Sequence, residues 1–197
     1  MDFAFTPEQD AIRDAIARIC ARFPDDYWLK KDKEGGFPSE LHQALAQDGW
    51  LGIAMPEACG GSGLGITEAA VMMQAIAESG AGFSGASAVH MNIFGLNPVV
   101  KFGSDAQRKR MLPGLIAGKE RACFAVTEPN TGLNTRSLKT EAVKKGKKYV
   151  VTGQKVWIST AQVAEKVLLL ARTAKGLSLF YTDFDRKFIE VREIEKM

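Results

Sequence analysis

Cysteine and histidine are scarce. The 197 residues hold three cysteines, Cys20, Cys59 and Cys123, and two histidines, His42 and His90. The thiols are odd in number, widely spaced and without a C-x-x-C pair. That excludes a disulfide scaffold and a zinc site and fits free, mostly buried thiols in a reducing compartment. Neither histidine sits in a metal-ligand motif, so no metal is expected. No apolar run is long enough to span a bilayer, and the opening Met1-Asp2-Phe3 lacks the basic and then apolar pattern of a signal segment. A soluble, cytoplasmic protein is expected. An excess of one charge is also missing: 26 Lys and Arg stand against 23 Asp and Glu, a formal net charge of +3. The bases are scattered, apart from Lys144-Lys145 and Lys147-Lys148 around Gly146. Such a group suits a solvated hairpin tip, and no nucleic-acid partner is expected.

What is present is an ordinary globular composition, 46% apolar and 25% charged, long enough for one large domain or two small ones. The first half is helical. Thr6-Pro7-Glu8-Gln9 forms a capping box, and Ile12, Ile16, Ile19, Cys20 and Phe23 follow at helical spacing. A second helix is expected from Pro38 to Asp48, with Leu41, Ala44 and Leu45 inward and Gly49 as its stop. A third follows Thr67 as N-cap through Val71, Met72, Ala75 and Ile76 to Gly80. Residues 85–102 read as helix interrupted at Gly95 and Pro98. Ser104-Asp105-Ala106-Gln107 repeats the capping box, and Leu112-Pro113 bends or ends that helix.

Near Gly118 the period changes. Short β-rich runs cover residues 122–126, 138–143, 149–159, 167–172, 177–183 and 189–194, separated by turn signals such as Lys145-Gly146-Lys147 and Lys175-Gly176. Strands this close without helices between them predict an antiparallel sheet or small barrel. The fold class is therefore α+β: an α-helical bundle domain over residues 1–119, then an antiparallel, barrel-like β-domain over residues 120–197.

Gly60-Gly61-Ser62-Gly63-Leu64-Gly65 invites a nucleotide-binding reading but fails the G-x-G-x-x-G test, and no G-K-[ST] follows. It reads as a flexible turn joining helices. Ser84 and Ser87 lie outside any G-x-S-x-G elbow, and His90 reads as a helix residue at a domain face. The run from Cys123 to Gly132 carries an apolar strand into a Thr-Glu-Pro-Asn-Thr-Gly loop. By spacing it is a plain strand-to-turn junction, although such an end can also present N–H, C=O and hydroxyl groups to the polar edge of a planar ring. In Gly153-Gln154-Lys155-Val156-Trp157-Ile158-Ser159-Thr160, Trp157 is either β-domain core or a stacking surface for an aromatic ligand.

Taken together, these two stretches resemble the acyl-CoA dehydrogenase family. CFAVTEPNTGLNT is similar to its flavin-contacting loop and GQKVWIST to its second flavin-contacting strand. FTPEQ, GWLGIAMPEACGGSG and MLPGLIAGKERACFAVTEP extend the likeness over essentially the whole chain, with a bacterial flavour. The resemblance implies an N-terminal α-domain, a middle β-domain and a C-terminal four-helix domain, the last absent after Met197. It implies FAD as cofactor, with Phe124, Val126, Thr127, Trp157, Ile158 and Ser159 around it. Phe124 and Val126 would touch the ring, Thr127 would bond its pyrimidine edge, Trp157 would lie against it, Ile158 would add backbone contact, and Ser159 would bond near N5. Donors at the N1/O2 edge would stabilise the charge that reduction builds there.

Where many members carry Gly-Ser-Asp, this chain has Gly132-Leu133-Asn134. In the family that serine can contact the CoA moiety; Leu133 carries no hydroxyl, and Asn134 or Thr135 would have to substitute. The implied reaction is α,β-dehydrogenation of an acyl-CoA, a step in fatty acid β-oxidation, with a buried carboxylate base. In the family that base is a glutamate of the C-terminal domain, so no catalytic residue is named in this chain, and Glu128 is given no base role. An electron-transfer flavoprotein and a homo-tetramer or homo-dimer are the implied partners. Two other readings stay open: an acyl-CoA oxidase-like flavoenzyme, and a non-catalytic fragment that serves only as a structural or interaction module.

Overall fold

The computed structural model describes residues 4–194. Met1-Asp2-Phe3, the segment without a signal pattern, lies outside the described residues. The chain divides into two compact units, Met1–Glu120 and Arg121–Met197.

The first unit is helical. Helix α1 spans Pro7–Cys20 and begins as its sequence dictates: the Thr6 hydroxyl accepts from Gln9 N–H, and the Gln9 side chain accepts from Thr6 N–H. Its stripe of Ile12, Ile16, Ile19 and Cys20 is buried, each isoleucine contributing about 1.5–3 kcal/mol. Helices α2 (Asp25–Glu34) and α3 (Ser39–Gln47) follow. Helix α4 is Ile66–Ile76. Its N-cap is Gly65, not Thr67, because Glu68 Oε2 accepts from Gly65 N–H at 3.0 Å and sets the start there. Leu41 and Leu45 of α3 and Met72 and Ile76 of α4 share one core with the α1 stripe.

A π-helical turn, Ala77–Ala81, carries Gly80 at φ 95° and ends that segment. Helix α5 (Gly82–His90), a second π-turn at Met91–Gly95, and helices α6 (Asn97–Phe102), α7 (Asp105–Met111) and α8 (Pro113–Ile116) complete the unit. The Ser104–Gln107 capping box opens α7 as expected. The glycine loop at 60–65 is a turn but not a free one. Ser62, Gly63 and Leu64 N–H bond the carbonyls of Gly52, Met55 and Ile53 at 2.8–3.0 Å.

The second unit is a five-stranded sheet: β1 (Ala122–Ala125), β2 (Glu141–Lys145), β3 (Lys148–Thr152), β4 (Lys166–Thr173) and β5 (Gly176–Asp183). Strand β4 is central. Val167, Leu168 and Ala171 are buried in it, as expected for a strand covered on both faces. The hairpins β2–β3 and β4–β5 are antiparallel, as the turn signals predict.

The sheet is nevertheless mixed and, among the described residues, open, because β1 and β2 both pair β4 in parallel. The register of β1 on β4 is held by a two-pronged contact. Arg121 Nη2 and Nε reach Glu165 Oε1 and Oε2 at 2.6 and 3.3 Å, while Glu165 N–H donates to Arg121 C=O at 2.9 Å. Two expectations change here. The run 149–159 is strand only to Thr152, and 189–194 is not a strand; Ile189 and Val191 instead lie against a small core of Cys123, Ala125, Ala161, Ala164 and Val167.

Candidate functional site

Past Thr152 the chain cannot continue as a strand. Gly153 lies against Thr140 with no room for a side chain, and Trp157 and Thr160 take left-handed φ values of 60° and 71°. A bulky residue in that region is a genuine outlier, at a cost of roughly 1–3 kcal/mol. The segment is held from both sides. Val156 N–H donates to Thr127 C=O at 2.9 Å, and the Ile158 side chain packs on the Cys123–Ala125 core. Trp157, between these anchors, is 70% exposed. It is not β-domain core.

The strand-to-loop junction 126–128 is tied to the same segment. Lys155 Nζ donates to Val126 C=O and to Glu128 Oε1, each at 2.9 Å. Glu128 also accepts from the backbone N–H of Lys139 at 2.6 Å and of Thr140 at 2.9 Å. The ion pair is enclosed, with side chains 8% and 5% exposed for Lys155 and Glu128. Burial pushes the Glu128 carboxyl up, but the Lys139 and Thr140 amides and the Lys155 ammonium outweigh it and hold it at about 2. A carboxylate held so far below neutrality is a poor general base. Glu128 fastens the loop.

The structure thus brings Val126, Thr127, Trp157 and the Ile158 backbone to one stitched junction. Phe124 lies one strand position behind, half-buried on the face of β1 opposite Cys123 and Ala125. Ser159 follows Ile158 in an exposed turn. Gly132, Leu133 and Asn134 form a separate exposed loop. Asn134 is engaged locally, its Oδ1 accepting from Arg136 N–H at 3.2 Å and its Nδ2 donating to Ser137 Oγ at 3.1 Å. That loop is fixed from β4, since Arg172 Nη2 donates to the carbonyls of Arg136 and Leu138 at 2.6 and 3.1 Å. Sequence reasoning missed Lys155 and Arg172. A lysine inside a motif of apolar and small residues was the available signal for the first.

The donor set suits the polar edge of a planar ring. Among the described residues the Thr127 N–H and hydroxyl, and the Ser159 hydroxyl, have no partner, and the exposed Trp157 follows Val156 in the segment bonded to Thr127. In the helical unit, His90 is occupied by its own turn: Nδ1–H donates to Ser87 C=O, and the ring stacks on Phe94 with centroids 5.1 Å apart. Among the described residues there is no cluster of metal-ligating side chains, and no helix is long and apolar enough to cross a membrane.

Residues 6–119 match the family model described as acyl-CoA dehydrogenase, N-terminal domain, and residues 123–197 the model of the middle domain. Among relatives, acyl-CoA dehydrogenase fadE12 of Mycobacterium tuberculosis is 35% identical over 174 residues, covering 88% of this chain and 44% of that protein. Benzylmalonyl-CoA dehydrogenase of Aromatoleum aromaticum is 33% identical over 200 residues, covering 100% of this chain and 53% of that protein. The crystal structure of glutaryl-CoA dehydrogenase from Mycobacterium smegmatis superposes with a TM-score of 0.82 at 26% identity, over 91% of this chain and 46% of that one. The chain spans about half the length of the curated relatives it matches.

Proposed function

The chain belongs to the acyl-CoA dehydrogenase family, and from that premise we propose that it forms the helical and flavin-holding parts of an enzyme that dehydrogenates an acyl-CoA thioester across Cα–Cβ. The observation that carries this reading is the junction at Thr127. Its amide and hydroxyl are free among the described residues, while Val156 fixes its carbonyl and Lys155 fixes both its neighbours.

FAD, when bound, supplies the acceptor for the β-hydrogen leaving as hydride. The protein's part is to hold and orient. Thr127 offers two donors to the pyrimidine edge of the ring, where fixed dipoles favour the charge that reduction places there. Trp157 would supply an aromatic surface for the ring, Ser159 a hydroxyl donor toward N5, and Phe124, Val126 and the Ile158 backbone the remaining contact. For the CoA moiety, exposed Gly132 and Leu133 offer backbone and apolar contact, and Asn134 is committed to its turn. The α-proton needs a carboxylate of raised pKa in a dry site. Glu128, held at about 2, does not meet that need, and the base is assigned to the part of the relatives that this chain does not match. An electron-transfer flavoprotein as acceptor, assembly as a homo-dimer or homo-tetramer, and a bacterial cytoplasmic setting belong to the same proposal.

The test is optical. The purified gene product containing this chain is expected to be yellow, with a flavin band that bleaches on adding acyl-CoA under anaerobic conditions. A colourless protein that takes up no added FAD would sink the reading.

A further inference from the structure

Three consecutive residues, 126, 127 and 128, are gripped by two others. The Lys155 ammonium holds the Val126 carbonyl and the Glu128 carboxylate, each at 2.9 Å. Val156 N–H holds the Thr127 carbonyl at 2.9 Å. The grip reaches further, because Glu128 is bonded to the Lys139 and Thr140 amides at 2.6 and 2.9 Å. The ammonium of a lysine side chain only 8% exposed thereby joins the end of β1, the 126–128 loop, the start of β2 and the 153–159 segment. Lysine has a compact head with three donors, and two of them are spent on the residues flanking Thr127.

From this we infer that Lys155 is a positioning residue for the flavin: it fixes the direction of the Thr127 donors by holding the peptide on one side and the side chain on the other. The inference rests on the flavin reading of the junction but adds a residue that touches no ligand. Its physical basis is that oriented donors stabilise developing charge only when they need not reorganise. Deleting the ammonium frees the Val126 carbonyl and leaves Glu128 without its counter-charge, so the Thr127 donors drift. Arginine keeps the charge on Glu128, but its planar fork cannot present one nitrogen to both partners in the same way.

The experiment uses the gene product containing this chain as wild type, Lys155→Met and Lys155→Arg, each saturated with FAD. The reduction potential of the bound flavin is measured by equilibration with a reference dye, and the FAD dissociation constant by titration. In Lys155→Met, preference for the reduced over the oxidised flavin should fall at least tenfold, about 30 mV for a two-electron couple. FAD should also bind at least tenfold more weakly, and Lys155→Arg should lie between the two. A residue that merely supports folding would change the amount of loaded protein, not the potential of the flavin it holds. Variants that saturate with FAD at the wild-type potential overturn the inference and leave the flavin reading standing. Wild type that takes up no FAD overturns the reading, and the inference with it. Should Lys155→Met fail to fold, Lys155→Arg decides: a shifted potential supports the inference, an unchanged one overturns it.

Discussion

Gly153 lies against Thr140 so closely that a Cβ added to it would stand 2.6 Å from Thr140 Cβ and 2.7 Å from Thr140 Cα. Both contacts are far inside van der Waals distance, and one involves backbone, which cannot swing aside. The same Thr140 sends its N–H to Glu128, so a push at Gly153 is felt at the ion pair. Gly153→Ala is expected to destabilise the β-unit by about 1–3 kcal/mol, the usual cost of overpacking, measured as a fall in the urea midpoint. Gly132→Ala is the control. Nothing stands within 4 Å of a Cβ there, and a change within about 0.5 kcal/mol is expected. Equal effects from the two would refute the packing argument.

The buried carboxylate of Glu128 sets an acid limit. Its pKa is lowered from 4.5 to about 2 in the folded chain, so folding favours the ionised form. The resulting stability is fully present above about 4.5 and is lost as pH falls to about 2. The shift corresponds to about 3 kcal/mol. Urea unfolding across pH 6 to 2 should show wild type losing this contribution in that window. Glu128→Gln should be less stable at pH 6, because Lys155 is left buried and unpaired, and should show a flatter acid limb. Parallel profiles for the two proteins would rule the assignment out.

Legibility followed the range of each interaction. The two capping boxes were readable because Thr6 and Gln9, or Ser104 and Gln107, sit within one helical turn. Helix α2, Asp25–Glu34, gives no period to read, because Trp28 is its only buried residue. The hairpins were readable from their turns. The parallel pairing of β1 with β4 was not, since it depends on Arg121 meeting Glu165 across 44 positions. At the site, family likeness singles out Thr127 and Trp157 as candidates. The Glu128–Lys155 tie could not be read, because the setting of Lys155 among apolar and small residues hints at burial but does not name a partner 27 residues away. Nothing in a tryptophan's identity signals a φ of 60°.

The thiols should separate by burial. Cys123 has no exposed surface, and burial pushes its pKa up to about 12. Cys20 is also buried, with its pKa raised by the same cause. Cys59 is partly exposed at the end of the 3-10 turn Glu57–Cys59 before the glycines. The thiolate is the reacting form, so a chromogenic disulfide reagent at pH 8 should label one thiol of the native protein quickly and all three after denaturation. Peptide mapping should find the fast label on Cys59. Rapid labelling of Cys123 in folded protein would contradict the core described for β1.

Trp157 tests whether backbone strain here serves binding. Its φ of 60° carries roughly 1–3 kcal/mol of strain, and a residue 70% exposed returns little burial energy. Glycine adopts this φ freely, while raising the entropy of the unfolded chain by about 0.5–1 kcal/mol. The two effects oppose one another, so Trp157→Gly should unfold within about 1 kcal/mol of wild type. Removing a core tryptophan would instead cost about 3–5 kcal/mol. Flavin retention should behave differently. Losing the aromatic surface is expected to weaken FAD binding at least tenfold, read as the flavin-to-protein absorbance ratio after gel filtration. A Trp157→Gly protein that keeps its flavin but loses several kcal/mol would assign the indole to the fold and take it away from the ligand.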